Sequence, residues 1–104
     1  MTARMMPGKP VAEAVFADLA PRIAALAAGR TPGLGTILVG DDSASAGYIR
    51  MKMEKAASLG FTSPHIHLRQ DASQADVLAA IAQMNDADDV DAVLMQHPTP
   101  PQID

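Results

Sequence analysis

The chain has 104 residues, of which 48% are hydrophobic and 3% aromatic, and its formal net charge is −4. This length fits one domain, and the scattered lysines and arginines do not form the basic face that a nucleic-acid-binding protein needs. The absence of cysteine excludes disulfides, a thiolate nucleophile and cysteine-ligated zinc. Since there is no membrane-spanning apolar run and no secretion signal, we expect a soluble, cytoplasmic protein that binds neither nucleic acid nor membrane.

The first part of the chain predicts a helix and then a buried strand. Apolar side chains recur at spacings of three and four over residues 11–28, which is typical of an amphipathic helix, here ended by Gly29. Pro21 predicts either a kink or two shorter helices that meet there. A β-branched run bounded by glycines, residues 34–40, predicts a strand that is buried on both faces.

Two further helices and two strands follow. Asp41, Asp42 and Ser43 form a turn and cap, a second helix extends over about residues 44–59, and Gly60 ends it. The alternating "PHIHLR" predicts a strand, and Ser73 with Asp76 forms a capping box for a third helix. Residues 90–96 predict the third strand. The apolar stripe of the third helix is Val77, Leu78, Ile81 and Met84.

This order of elements predicts an α/β fold, with a three-layer, mostly parallel sheet and helices on both faces. Ligands of such sheets bind beyond the carboxyl ends of the strands. Residues 40–45 and 96–101 both follow strands, so we expect them on one rim. Residues 103–104 look like the approach to another helix, and we expect the chain to be the front portion of a larger protein.

A polar stripe lies on the second helix. At about 100° per residue, Ser45, Tyr48 and Lys52 share one face. A lysine beside a phenol is suited to proton transfer or to polarising a carbonyl or imine. The alternative is a surface helix with a solvated lysine and a tyrosine packed at its edge.

Two other sites receive less support from the sequence. The Tyr-x-x-x-Lys spacing also occurs in short-chain dehydrogenases, but the glycines here bracket a strand and do not form a dinucleotide fingerprint after it. His65 and His67 share one strand face and His97 follows a later strand, yet no carboxylate or cysteine is placed to complete a metal site. We therefore predict no metal.

Almost the whole chain resembles a known family. The segments "PGKPVAEAV", "PGLGTILVGDDSASAGYIRMKMEKAASLGF" and "HIHLRQDASQADVLAAIAQMNDADDVDAVLMQHPTPPQID" are similar, in order and spacing, to the amino-terminal catalytic domain of the bifunctional methylenetetrahydrofolate dehydrogenase/methenyltetrahydrofolate cyclohydrolase family. The most specific part is the glycine-aspartate turn, the Ser-x-x-Tyr-x-x-x-Lys helix and the later Gln-x-Pro in one frame. The resemblance implies oxidation of 5,10-methylenetetrahydrofolate to the methenyl form and hydrolysis to 10-formyltetrahydrofolate.

The resemblance also implies a role for each matching residue. Lys52 is the catalytic lysine, which acts on the one-carbon bridge and activates water. Gln96 hydrogen-bonds Lys52 and holds its protonation and direction, and Tyr48 packs against the aminobenzoate part of the folate; both belong to the catalytic set with Lys52. Ser45 and Pro98 complete the substrate-binding set.

The resemblance further implies partners that lie outside these residues. Residues 1–104 correspond to the amino-terminal part of the catalytic domain, NADP is bound by a domain absent from this chain, and the full-length protein is a homodimer. Here His97 and Thr99 replace the two leucines of the usual Gln-Leu-Pro-Leu-Pro, which makes this wall of the pocket more polar. A noncatalytic folate-binding or partner-binding domain of the same fold is the alternative.

Overall fold

Helices and strands alternate along the chain, as predicted. The computed structural model describes residues 2–104 and contains α1 (Gly8–Leu26), β1 (Leu34–Val39), α2 (Ser43–Ser58), β2 (His65–Leu68), α3 (Gln74–Asp86) and β3 (Ala92–Met95). The three strands form one parallel sheet in the order β2-β1-β3. Among the helices of residues 2–104, none combines the length and the apolar character needed to cross a membrane.

The central strand β1 is covered on both faces, which confirms the predicted burial. Because side chains alternate along a strand, Ile37 and Val39 point to α3, while Leu38 points to α2 and lines a groove with Ile49. The helices therefore lie on both sides of the sheet. The buried core between β1 and α3 consists of Ile37, Val39, Ala72, Val77, Ala80 and Met84.

The predicted helix caps are present. The Asp42 carboxylate accepts a hydrogen bond from the Ser45 backbone N–H at 2.7 Å and caps α2. Gly60 follows this helix with a φ of 85°, the left-handed conformation that glycine adopts easily. The capping box of Ser73 and Asp76 is also formed.

The first helix differs from the prediction in its bounds and its packing. It is one helix, which begins at Gly8, contains Pro21 and ends at Leu26, so the expectation of two shorter helices is wrong. Pro10 fits in its first turn, where backbone N–H groups have no helical acceptor. Of its apolar stripe only Ile23 is buried, whereas 66% of the surface of Val11 is exposed.

Two other predictions require correction. The third strand spans Ala92–Met95 and is shorter than residues 90–96; the backbone N–H groups of Asp91, just before it, and of Ala92, its first residue, both donate to the Gly33 carbonyl. Leu78 is 56% exposed, and the small Ala80 takes its place in the core. A helix with an alanine facing the sheet can approach β1 more closely than one with a leucine there.

Candidate functional site

The carboxyl ends of β1 and β3 meet at one rim of the sheet. Helix α2 begins four residues after β1 ends and carries Ser45, Tyr48 and Lys52. Strand β3 pairs with β1 and ends at Met95, so Gln96 follows directly, and its backbone N–H donates to the Ile37 carbonyl at 3.0 Å. Local capping of α2 and the parallel pairing of two strands thus bring together two distant segments of the chain.

Lys52 and Gln96 contact each other at this rim. The Lys52 Nζ donates a hydrogen bond to Gln96 Oε1 at 2.9 Å, and Gln96 Nε2 donates to the His97 carbonyl oxygen, also at 2.9 Å. Both ends of the amide are therefore engaged, which fixes its orientation. An ammonium has three donors, so this contact leaves two of them for a ligand.

Ser45 is joined to the same network through the backbone. Its side chain is buried, and Oγ donates to the His97 carbonyl oxygen at 3.2 Å. This oxygen therefore accepts hydrogen bonds from both Ser45 and Gln96. At the other end, the hydrogen bond from the Ser45 N–H, followed by a contribution from its side chain, lowers the pKa of Asp42.

Tyr48 lies on the open side of the site. Its ring centroid is 5.8 Å from Lys52 Nζ, close to the outer limit for a cation–π interaction. Tyr48 is 55% exposed, and Met51 on the next turn is 65% exposed. An aromatic surface beside an ammonium is therefore accessible to a ligand.

The segment after β3 forms another part of the rim. Pro98 follows His97 through a cis peptide bond and is exposed, while Thr99 is half-buried and Pro100 is buried. The structure thus places Lys52, Gln96, Tyr48 and Ser45 in one cluster with Pro98 at its margin. Their catalytic and binding roles stay predictions.

No carboxylate of residues 2–104 pairs with the lysine of this site. Lys52 forms no ion pair with any of residues 2–104. Its acceptor, Gln96, is a neutral amide, which orients the Lys52 nitrogen without adding a charge. Such a group can donate to a carbonyl or imine of a conjugated ligand stacked on Tyr48.

The histidine pair on β2 is used within the protein. His65 Nδ1 lies 2.7 Å from Thr36 Oγ1, and His67 Nε2 donates to the Gly40 carbonyl at 2.7 Å. Because β1 separates β2 from β3, His97 does not join them. Residues 2–104 contain no group of three histidine, cysteine, aspartate or glutamate side chains that could hold a metal.

The glycines around β1 contact the protein itself. A Cβ added to Gly33 would meet the Asp89 backbone, one on Gly35 would meet the Met84 side chain, and one on Gly40 would meet Gln70. A dinucleotide fingerprint instead uses glycines to let a pyrophosphate approach the backbone. These three glycines do not fit NADP binding.

One member of the site was missing from the sequence-based set. The His97 backbone carbonyl joins Ser45 to Gln96, although every residue has a carbonyl and no side-chain pattern distinguishes this one. The cap at Asp42 was recognised from the sequence, but its connection to the lysine was not. Only the pairing of β1 with β3 brings the two together.

Comparisons with known sequences identify one family. The family described as "Tetrahydrofolate dehydrogenase/cyclohydrolase, catalytic domain" matches residues 6–104. The chain is 52% identical over 103 residues to "Bifunctional protein FolD 1" of Salinispora tropica, covering 98% of this chain and 34% of that protein. It is 46% identical to "Bifunctional protein FolD" of Syntrophotalea carbinolica, over 100% of this chain and 36% of that protein.

Solved structures give the same result. The Trypanosoma brucei N5,N10-methylenetetrahydrofolate dehydrogenase-cyclohydrolase, complexed with NADP cofactor and inhibitor, superposes with a TM-score of 0.93 and 31% identity, covering 100% of this chain and 36% of that one. The Campylobacter jejuni enzyme superposes with a TM-score of 0.88 and 32% identity, covering 93% and 35%.

These matches confirm both the α/β fold and the resemblance read from the sequence. The chain spans about a third of the length of the curated relatives that it matches. By the extent of the match and its position, the chain belongs to the family of tetrahydrofolate dehydrogenase/cyclohydrolase catalytic domains.

Proposed function

We propose that this chain supplies the lysine-bearing part of an enzyme of one-carbon folate metabolism. The enzyme oxidises 5,10-methylenetetrahydrofolate to 5,10-methenyltetrahydrofolate and hydrolyses the product to 10-formyltetrahydrofolate. The observation that carries this proposal is the hydrogen bond between Lys52 and Gln96 at the ligand-binding rim. The Salinispora tropica relative, named as a bifunctional protein, supports it.

Lys52 is the catalytic residue in this proposal. In the hydrolytic step, water adds to the one-carbon bridge of the methenyl form, and the bond from the bridge carbon to N5 then breaks. Of the two protons of the water, one ends on N5 and the other leaves to solvent. Lys52 Nζ, as the neutral amine, accepts a proton from the water and passes it on to N5, while Gln96 Oε1 holds the nitrogen in place. The same nitrogen contacts the bridge during oxidation.

The other site residues bind and orient the folate. The exposed ring of Tyr48 stacks on the aminobenzoate group, since its open face lies beside Lys52. Ser45 holds the His97 carbonyl, and Pro98 borders the pocket. The more polar His97 and Thr99 line the wall that the folate ring approaches.

A bound NADP would supply the acceptor for the hydride that leaves the methylene bridge during oxidation. The glycines around β1 do not fit its pyrophosphate, because the positions that a Cβ would take at Gly33, Gly35 and Gly40 are occupied by the protein's own atoms. We assign NADP to a separate domain of a longer protein, in which residues 1–104 are the amino-terminal part of the catalytic domain. The NADP in the Trypanosoma brucei enzyme supports this assignment. We further propose a cytoplasmic homodimer that supplies one-carbon units for purine biosynthesis.

Substitution of Lys52 by methionine tests this function. Met keeps much of the aliphatic length but removes the nitrogen, so cyclohydrolase turnover by the complete protein is expected to fall by at least ~100-fold, the lower range for acid–base catalysis. Lys55→Met is the matched control, because Lys55 lies on the same helix but its Nζ is 4.3 Å from the ring centroid of Phe16 and not at the site. Retained turnover in Lys52→Met would exclude the catalytic role. Folate binding without turnover in the wild-type protein would favour the noncatalytic alternative.

A further inference from the structure

A hydrogen-bonded path leads from the cap of α2 to the lysine. It starts at Asp42, passes through Ser45 to the His97 carbonyl, and continues through Gln96 to Lys52. We propose that Asp42 is a positioning residue, which sets the direction of the Lys52 amine through this path. The inference rests on the proposed catalytic function of Lys52.

The first step of the path is the contact between Asp42 and Ser45. Asp42 precedes α2 in an extended conformation, and its Oδ1 accepts from the N–H of Ser45, the third residue of the helix, at 2.7 Å. The first N–H groups of a helix have no acceptor within it, so a cap determines whether this turn is ordered. Asp42 itself is exposed, and its replacement opens no cavity in the core.

The second step is the shared acceptor. The ordered turn directs Ser45 Oγ to the His97 carbonyl oxygen at 3.2 Å, and this oxygen also receives Gln96 Nε2 at 2.9 Å. A carbonyl oxygen has two lone pairs, and both are engaged here. If Ser45 moves away, the segment after β3 loses one of its two hydrogen bonds to α2, and the His97 carbonyl that anchors the Gln96 amide is less firmly held.

The third step is the orientation of the lysine. Gln96 Oε1 is the acceptor that the structure gives to Lys52 Nζ. A lysine side chain has four rotatable bonds and many rotamers, so one fixed acceptor restricts where its nitrogen lies. A misplacement of about 1 Å in a reacting group can reduce a rate about 100-fold.

A second cap in the chain provides a matched control. Ser73 accepts from the Asp76 N–H at 3.1 Å at the start of α3, with the same spacing as Asp42 and Ser45. The Ser73 N–H in turn donates to Asp76 Oδ2 at 2.9 Å, so this cap closes on itself. Loss of either cap destabilises a helix, but only the cap at Asp42 is connected to Lys52.

The kinetic test compares Asp42→Ala, Asp42→Asn and Ser73→Ala in the complete protein. We expect Asp42→Ala to lower kcat for hydrolysis of the methenyl substrate by roughly tenfold or more, with KM changed less than about twofold. Asn retains a capping oxygen, so Asp42→Asn should restore most of kcat. Ser73→Ala should lower Tm by a similar amount and leave kcat unchanged. Equal kcat losses in the two alanine variants would show a general effect of helix stability and overturn the proposal.

An NMR measurement without substrate separates this inference from the proposed function. The side-chain NH₂ resonances of Gln96 report the hydrogen bond from Nε2 to the His97 carbonyl. We expect them to shift in Asp42→Ala, to return in Asp42→Asn and to stay in place in Ser73→Ala. Unchanged Gln96 resonances in Asp42→Ala would overturn the positioning role. If the wild-type protein has no cyclohydrolase activity, the proposed function fails, and these resonances still decide whether Asp42 orients Gln96.

Discussion

Lys52 and Gln96, which are 44 positions apart in the chain, share a 2.9 Å hydrogen bond from Nζ to Oε1. The bond links α2 to the residue that follows β3. Because Gln96 Nε2 is held by the His97 carbonyl, the amide cannot turn over without losing both contacts. The oxygen therefore stays directed at the lysine.

Replacement of Gln96 by glutamate tests whether a neutral acceptor is needed. A carboxylate at this position would hold the Lys52 ammonium as an ion pair and would lose the donor to the His97 carbonyl. We expect cyclohydrolase turnover to fall by roughly 100-fold while the fold is retained. The measurement is steady-state hydrolysis of the methenyl substrate, with circular dichroism as the check on folding.

Gln102→Glu is the control for this substitution. Gln102 also donates through Nε2 to backbone carbonyls, those of Gln70 and Ala72, but it lies away from Lys52. This variant introduces the same change of charge and should retain turnover. An active Gln96→Glu enzyme would show that the neutral amide is not required.

Much of the fold could be predicted because local signals agreed. Glycines bracketed the buried strand β1, and Gly60 and the Ser73 capping box marked helix ends that the structure contains. The bounds of α1 could not be predicted, since Pro21 remains within one helix. The exposure of Leu78 depends on how closely α3 approaches β1, and spacing along one helix does not determine this distance.

The candidate site could be predicted only in part. The residues with distinctive side chains, Lys52, Tyr48 and Gln96, were found from helix geometry and a family resemblance. The His97 carbonyl that joins the network is a backbone group with no signature in the sequence. Its place follows from the parallel pairing of β1 with β3, a contact between segments that are distant in the chain.

Three glycines should respond differently to alanine. Gly47 is inside α2 and a Cβ there would meet no atom within 4 Å, so Gly47→Ala should stabilise the chain by up to about 1 kcal/mol. Gly60 has the same open space, but its φ of 85° is a conformation that alanine rarely adopts, so Gly60→Ala should destabilise the chain by about 1 kcal/mol. The measurement is the free energy of unfolding in urea.

Gly40→Ala completes this series and should be the most destabilising of the three. Gly40 combines a φ of 95° with a Cβ position that overlaps the Gln70 side chain. That side chain also accepts from the Asp41 N–H at 3.0 Å, so moving it breaks a hydrogen bond. The expected loss exceeds about 2 kcal/mol. A smaller loss than in Gly60→Ala would contradict this account of the turn.

Asp91 should stabilise the chain in a manner that depends on pH. Its carboxylate accepts from two nitrogens of Arg30 and from the Gly33 N–H, and these contacts, that of Arg30 first, lower its pKa. A lowered pKa of Asp91 adds stability that is fully present above the pKa of the unfolded state, near 3.8. This stability is lost as pH falls through the pKa of the folded state. Asp91→Asn should therefore be less stable than the wild type at pH 7. In urea titrations, the difference in the free energy of unfolding between the two proteins should diminish below pH 4. A difference that stays constant with pH would contradict this role of Asp91.

His65 should have the same direction of pH dependence, but in a higher pH range. Burial, followed by the charge of His67, lowers the pKa of His65, and Nδ1 lies 2.7 Å from the Thr36 hydroxyl. The folded state thus favours the neutral imidazole more than the unfolded state does, for which the pKa is about 6.5. Stability from this source is complete above that pH and declines as pH falls from there through the folded pKa.

The test is urea unfolding of the wild-type chain and of His65→Gln at intervals from pH 8 to pH 5. The wild type should lose stability below about pH 6.5, whereas His65→Gln should show a weaker dependence because the titrating group is gone. His67→Gln serves as the comparison, since His67 is exposed and its removal also takes away one cause of the shift. In His67→Gln the folded-state pKa of His65 should lie closer to the unfolded value, so the loss of stability as pH falls should be smaller than in the wild type. Identical pH profiles for all three proteins would show that the partial burial of His65 does not distinguish the two protonation states.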